Sequence, residues 1–179
     1  MEKKNIYTVD KLCMASTNKV VLNVHCGSFP INKVKFRAGV YADKVNKDFY
    51  IDFPVFKRLA TDAASGKLFS DIVKEPFTLY TGYEKDGKII SRNLQISYSA
   101  PTVFVTISEC DGRKTETGAI LPVKGAKHDS ISVPIKSPTF REMMIYTSSC
   151  IDAYLVKVIP KMIDEYADMK FELAKNSGN

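Results

Sequence analysis

The chain has 179 residues, of which 45% are apolar and 26% are charged. This composition excludes a fibrous or disordered protein, and the length is enough for one domain with a sizeable buried core. The net charge of +6, with a pI near 9.0, favours a polyanionic partner without requiring one.

The first half of the chain alternates apolar and polar residues, which predicts β-strands over residues 6–13, 19–25, 33–41 and 48–53. We expect these strands to form one antiparallel sheet, with turns at 16–18, 27–28 and 43–47. Apolar residues at helical spacing then predict a helix over 55–64, which ends at Ser65 and Gly66. Residues 67–75 are expected to be a connector.

The second half repeats this plan with β-segments at 77–83, 88–98, 102–109, 117–123 and 130–135. Turns are expected at 85–87 and at 111–112, where Asp and Gly occur. Ser137 is predicted to cap a long helix whose first residue is Pro138, and Pro160 is expected to end or kink that helix.

A strand-to-helix phrase occurs twice, at 50–54 followed by Phe56 and at 130–134 followed by Phe140. In both copies apolar residues alternate up to a proline, and a helical pattern follows. We predict an α+β fold in a single domain over 1–179, with one half at about 6–66, the other at about 76–159, and a C-terminal helical extension over 160–179.

No apolar run is long enough to span a bilayer, and residues 1–5 lack both a hydrophobic signal core and an Arg/Ser-rich transit pattern. We therefore expect a cytoplasmic protein with no membrane partner. The long helix over 139–159 carries more apolar surface than one sheet can cover, so we predict a homo-oligomer, a tetramer. Aspartate at Met144 or Ile151 is expected to dissociate or unfold it.

Metal and disulfide signatures are absent from the sequence. The four cysteines form no CxxC or CxxH pair, and two histidines are too few for a His-based metal centre. We expect reduced, mostly buried cysteines, no metal site and no cofactor. The chain also lacks GxxxxGK[ST], GxGxxG, HExxH and GxSxG motifs, so we predict that it is not an enzyme.

A row of cations lies on the strand over 33–41. Alternation places Lys33, Lys35 and Arg37 on one face, about 7 Å apart, which is close to the phosphate repeat of an extended single strand. The alternative is an ordinary solvated sheet face. Lys88 and Arg92 are candidates for further phosphate contacts.

Three aromatic residues face away from their apolar neighbours: Tyr50, Tyr80 and Phe104. Outward rings beside cations make stacking platforms for unpaired bases. The alternative for each ring is cover by a helix or by a partner subunit.

Several segments of the sequence together match the pattern of one known family. They are residues 129–135 with Phe140-Arg141-Glu142-Met143 and Ser148-Ser149-Cys150, residues 92–98 and 103–107, and residues 48–72. In this order they resemble the last strand and long helix, the paired central strands, and the mid-chain strand and first helix of the Whirly and PC4-like family of single-stranded DNA binders.

The resemblance implies two four-stranded antiparallel sheets, each followed by a helix, in protomers that pack through their helices as tetramers. It also implies binding of single strands without strong sequence preference. The Lys-Gly-Lys-Ala-Ala-Leu phrase of plant members is missing, and the nearest segment is residues 18–22. A bacteriophage or bacterial origin fits better, which would place the protein in the bacterial host cytoplasm.

We therefore predict a non-enzymatic, non-sequence-specific single-stranded DNA-binding protein acting in replication, recombination or repair. Two alternatives stay open: an RNA-binding or annealing factor of the same fold, and a structural or assembly protein whose basic row is ordinary surface. The residues predicted to contact nucleic acid are Lys33, Lys35, Arg37, Tyr50, Tyr80, Lys88, Arg92 and Phe104.

Overall fold

The computed structural model describes residues 10–176, so residues 6–9 of the first predicted strand lie outside the described part, as do residues 177–179. Between residues 10 and 176 the chain forms two antiparallel sheets and three α-helices. The predicted α+β class with two antiparallel sheets is therefore confirmed.

The first sheet is a meander in which each strand pairs with the next. Its strands are β1 (Lys11–Ser16), β2 (Val20–His25), β3 (Lys33–Val40) and β4 (Val45–Asp52). A 3-10 turn over Phe29–Ile31 connects β2 to β3. The fourth strand begins earlier than predicted because the preceding turn closes at Lys44, whose backbone has a positive φ of 52°.

Helix α1 (Phe53–Ser65) follows β4 without a loop. Pro54 lies in its first turn, where a missing backbone N–H is tolerated. Gly66 ends the helix as predicted, since its φ of 83° is left-handed and its N–H bonds to the carbonyl of Ala63. The predicted connector contains a further short helix, α2 (Lys67–Ile72), because its apolar Leu68 and Ile72 are buried against the core.

The second sheet has five strands, where four were expected from the resemblance. They are β5 (Phe77–Lys85), β6 (Lys88–Ser99), β7 (Thr102–Lys114), β8 (Ile120–Pro122) and β9 (Asp129–Lys136). At 13 residues, β7 is long enough for its first part to pair with β9 and its last part to pair with β8. The fifth strand is thus a short addition at one end of β7.

The turn predicted at Asp111 and Gly112 is wrong, because both residues continue β7. The chain turns instead at 115–118, where Gly118 has a φ of 82°. Neighbouring strands pack closely against Gly112. A Cβ at this position would lie 2.7 Å from the backbone nitrogen of Ser91 and 2.9 Å from the Ile120 side chain.

Gly112→Ala is expected to destabilise the protein by about 1–3 kcal/mol, because a methyl group would be forced against a rigid backbone atom. Urea unfolding followed by circular dichroism measures this change. Ser130→Ala, at an exposed position of the same sheet, serves as the control. Equal urea midpoints for the two variants would contradict the close packing of β6 and β8 against Gly112.

Helix α3 (Ser137–Asn176) forms the C-terminal end of the described chain and begins one residue before the predicted Pro138. It continues through Pro160, so of the two expected effects of this proline the end of the helix is excluded, and a kink stays a prediction. Proline leaves the carbonyl of Val156 without its helical donor. Both residues are exposed, so water can bond to that carbonyl.

One hydrophobic cluster contains the inner faces of both sheets, α1 and the first part of α3. The largest fully buried side chains in it include Phe36, Phe49, Phe56 and Phe140. The two halves therefore share a core instead of folding separately. Among the described residues, no helix combines the length and apolar content needed to span a bilayer.

The four cysteines are free thiols, with Cys110 buried and the others half-buried. Burial raises the pKa of the Cys13, Cys26 and Cys110 thiols, which keeps them protonated at neutral pH. Among the side chains that the structure describes, which lie within residues 10–170, no group of three or more His, Cys, Asp or Glu residues could hold a metal ion.

Candidate nucleic-acid interface

A groove of about 500 Å³ lies where the first sheet meets β5 and β6 of the second. Three of the residues predicted from separate sequence segments line it together: Lys33, Tyr50 and Arg92. Its other lining residues are Ile31, Thr81, Gly82 and Tyr83. We refer to this cavity as the inter-sheet groove.

Residues of strands β3 and β4 form one wall of the groove. Lys33 is opposite Asp52, and Lys35 is opposite Tyr50, so these side chains share the face that points away from the core. Val34 and Phe36 alternate with them and are buried, as predicted. Tyr50 points outward and is 37% exposed, so part of this residue is accessible to a ligand.

Residues of the hairpin of β5 and β6 form the second wall of the groove. Arg92 pairs with Thr81, and Tyr83 lies two residues along on the same face. The Arg92 guanidinium lies 4.9 Å from the centroid of the Tyr83 ring, and its Nε donates to Glu109 Oε1 at 2.7 Å. Stacking and hydrogen bonding therefore hold this cation at the groove.

Tyr83 was not among the residues predicted to contact nucleic acid. The signal that identifies it is the two-residue turn at Asp86 and Gly87, which pairs Lys85 with Lys88. Once that turn sets the register, Tyr83 must lie on the same face as Arg92.

Each cation of the predicted basic row has a carboxylate partner. Lys33 lies 3.2 Å from Asp52, and Lys35 lies 3.9 Å from Asp10. Arg37 donates from two nitrogens to Asp48, at 2.6 Å and 2.7 Å. A phosphate bound along this row must compete with these carboxylates, which lowers the net attraction of the row.

Asp10 is held ionised although part of its surroundings disfavours charge. Burial by itself would raise the pKa of Asp10, but the hydrogen bond and charge of His25 and the charge of Lys35 outweigh burial and lower it. The His25 Nδ1 lies 2.9 Å from Asp10 Oδ1. Asp10 therefore stays a negative neighbour of the basic row at neutral pH.

Lys88 lies at the tip of the β5–β6 hairpin, outside the inter-sheet groove. Its neighbour across the turn is Lys85, and both side chains are exposed. The tip thus presents two adjacent cations to solvent at one end of the second sheet.

Tyr80 and Phe104 lie on the other face of the second sheet. Tyr80 pairs with Asn93 and is 51% exposed, and Phe104, which is half-buried, pairs with Ser97. The residues alternating with them, such as Leu79, point to the core side. The expectation that outward rings stand beside predicted cations therefore holds for Tyr50 and not for Tyr80 or Phe104.

A buried lysine connects the two sheets beside this region. The Lys47 side chain is 4% exposed, and its Nζ lies 2.6 Å from Asp129 Oδ2 and 3.6 Å from Glu109 Oε2. Glu109 is also the partner of Arg92. The same carboxylate thus connects the β4 lysine to the groove arginine, which positions the two walls.

Comparison with known proteins gives no family assignment, since no protein-family model and no curated protein matches the sequence.

Proposed function

We propose that the chain is a non-catalytic protein that binds single-stranded DNA in the inter-sheet groove, with little dependence on base sequence. The observation that supports this most is the convergence of Lys33, Tyr50 and Arg92 on one cavity, although they come from three separate strands. Cations beside exposed rings match a phosphate backbone with unpaired bases.

The chemistry of the side chains indicates which of them would contact phosphates and which would contact bases. Lys33 and Arg92 would contact phosphates in the groove, and Lys35 and Arg37 would contact further phosphates where the strand continues along β3. These contacts would release counterions, so affinity would fall with salt. The ring of Tyr50, or of Tyr83, would stack on a base, which is possible only when the base is not paired. A four-stranded antiparallel sheet precedes α1 and a five-stranded one precedes α3, which differs by one strand from the repeat of a Whirly-like arrangement.

The biological setting is part of the same proposal. The protein would coat or protect unwound DNA during replication, recombination or repair, in the cytoplasm and as a homo-oligomer. A tetramer is the assembly implied by the family resemblance.

A binding titration tests the proposal. Fluorescent oligonucleotides of matched sequence, single-stranded and duplex, are titrated with protein at two salt concentrations. The proposal requires tighter binding to the single strand and weaker binding at the higher salt. Matched ribo-oligomers separate a DNA binder from an RNA-binding or annealing factor, and equal affinity for single strand and duplex would exclude base stacking.

A second candidate is a structural or assembly protein without a nucleic-acid partner. The ion pairs favour it, because Lys33, Lys35, Arg37 and Arg92 all have carboxylate neighbours that partly neutralise them. Such a protein would show no salt-dependent binding to either oligonucleotide.

Tyr50→Ala is expected to weaken single-strand binding by about 1–3 kcal/mol, the usual contribution of one stacked base. The slope of log affinity against log salt should stay unchanged, because stacking releases no counterions. Fluorescence anisotropy over a series of salt concentrations measures both quantities.

Tyr80→Ala is the matched control, because it removes an exposed tyrosine from the other face of the second sheet. It should leave affinity unchanged if DNA occupies the inter-sheet groove. A larger loss for Tyr80→Ala than for Tyr50→Ala would move the binding surface to that opposite face.

A further inference from the structure

The second part of α3 exposes a continuous row of large apolar side chains. They are Val156 (76% exposed), Ile159 (46%), Met162 (60%), Ile163 (62%), Tyr166 (58%) and Met169 (58%). Isolated apolar residues are common on protein surfaces, but a row of this size marks an interaction site. The first part of α3 differs, since Met144 and Ile151 are buried in the core.

The row follows the seven-residue repeat of a coiled coil. Ile159, Met162, Tyr166 and Met169 are separated alternately by three and four residues, and the sequence continues this spacing to Leu173. Ile159 and Tyr166 therefore occupy the positions called a in the repeat, and Met162 and Met169 occupy the positions called d. Leu155 precedes them at the same spacing but packs partly against the core of its own protomer. A hydrophobic repeat of 3.5 residues is typical of packing against a second helix and not of packing against a flat surface.

The charged residues beside the row favour a second copy of the chain as the partner, in parallel orientation. Counting from Ile159 as position a, Glu165 falls at g and Lys170 at e. In a parallel pair, each g residue faces the e residue five positions later on the other helix, so Glu165 would face Lys170 of the second copy. In an antiparallel pair, g faces g and e faces e, so these opposite charges would not meet.

The helix does not have to form during pairing. Its first part is anchored by core residues such as Phe140 and Ile151, so the unfavourable nucleation of a short helix is already overcome. Each copy contributes six large side chains that are close to half exposed or more. The area that two copies could bury through them is on the scale of the roughly 1,000 Å² in total that a specific interface buries.

We propose that two copies of the chain pair in parallel through this surface, the α3 seam, defined by Ile159, Met162, Ile163, Tyr166 and Met169. The pairing goes beyond the proposed DNA binding, because no residue of the inter-sheet groove takes part in it. It requires only that two protomers bring the C-terminal parts of α3 together.

Charge exchange tests both the partner and the orientation. Sedimentation equilibrium without nucleic acid should give a mass of two or four copies of the 20.0 kDa chain. Glu165→Lys and Lys170→Glu, each alone, replace two attractive pairs by two repulsive ones and should raise the dissociation constant about tenfold. An equimolar mixture of the two variants should restore association, because each g residue again faces the opposite charge.

Met162→Asp gives a second measure, since this side chain is exposed and its replacement leaves the core intact. It should produce a folded monomer. A monomeric wild type at micromolar concentration, stronger association of Glu165→Lys, or no recovery in the mixture would overturn the proposal. Association of the monomer with lipid vesicles in place of a second copy would overturn it as well.

The variants also separate this proposal from the proposed function. Oligonucleotide binding is measured per protomer for wild type and for Glu165→Lys. If the wild type pairs but binds no oligonucleotide, the DNA-binding proposal fails and the α3 seam stands. If the wild type binds oligonucleotide as a monomer, the proposed DNA binding stands, and both the α3 seam and the proposed homo-oligomer fail.

Discussion

Replacing Lys33, Lys35 and Arg37 together by alanine is expected to lower the slope of log affinity against log salt by about two, at roughly 0.7 for each phosphate contact with a single strand. If affinities converge near 1 M salt, this corresponds to about a hundredfold weaker binding at 0.1 M. The structure adds a reason for a strong effect. Removing the cations leaves Asp48 and Asp52 without these cationic partners beside the bound strand, and leaves Asp10 with His25 but without Lys35.

Fluorescence anisotropy at a series of salt concentrations measures this slope. The matched control replaces Lys124, Lys127 and Lys136 by alanine, which removes the same number of charges from exposed positions elsewhere. If both triple variants change affinity and slope equally, only the net charge matters. If the first variant changes neither, β3 does not face DNA, and the assignment of the site is wrong even where the fold is right.

Ile151→Asp is expected to unfold the protein. The Ile151 side chain is completely buried, so a carboxylate there would cost several kcal/mol, a large part of the 5–15 kcal/mol that typically stabilises a domain. The same reasoning applies to Met144→Asp, since Met144 is 1% exposed. Because both residues pack within one protomer, the effect is unfolding instead of simple dissociation.

Circular dichroism with urea unfolding measures the loss of stability. Ala153→Asp, at an exposed position on the same helix, is the control and should change the unfolding free energy by no more than about 0.5 kcal/mol. A folded Ile151→Asp variant that sediments as a monomer would show instead that this residue belongs to an interface between protomers.

The local pattern of the sequence was sufficient for several features of the site. Strict alternation in β3 placed Lys33, Lys35 and Arg37 on the solvent face, because side chains of a strand point to opposite sides in turn. Gly66 marked the end of α1 because its left-handed conformation suits glycine. These features depend on residues close in sequence, so the periodicity of one segment is enough to predict them.

Contacts between distant segments decided the rest. Lys33 and Arg92 are 59 positions apart in the sequence, and only the packing of one sheet against the other brings them to the same groove. The pairing of Lys35 with Asp10 and the packing of Gly112 against Ser91 likewise depend on which strands become neighbours. Periodicity specifies which face a side chain takes, but strand register and sheet packing specify what it meets there.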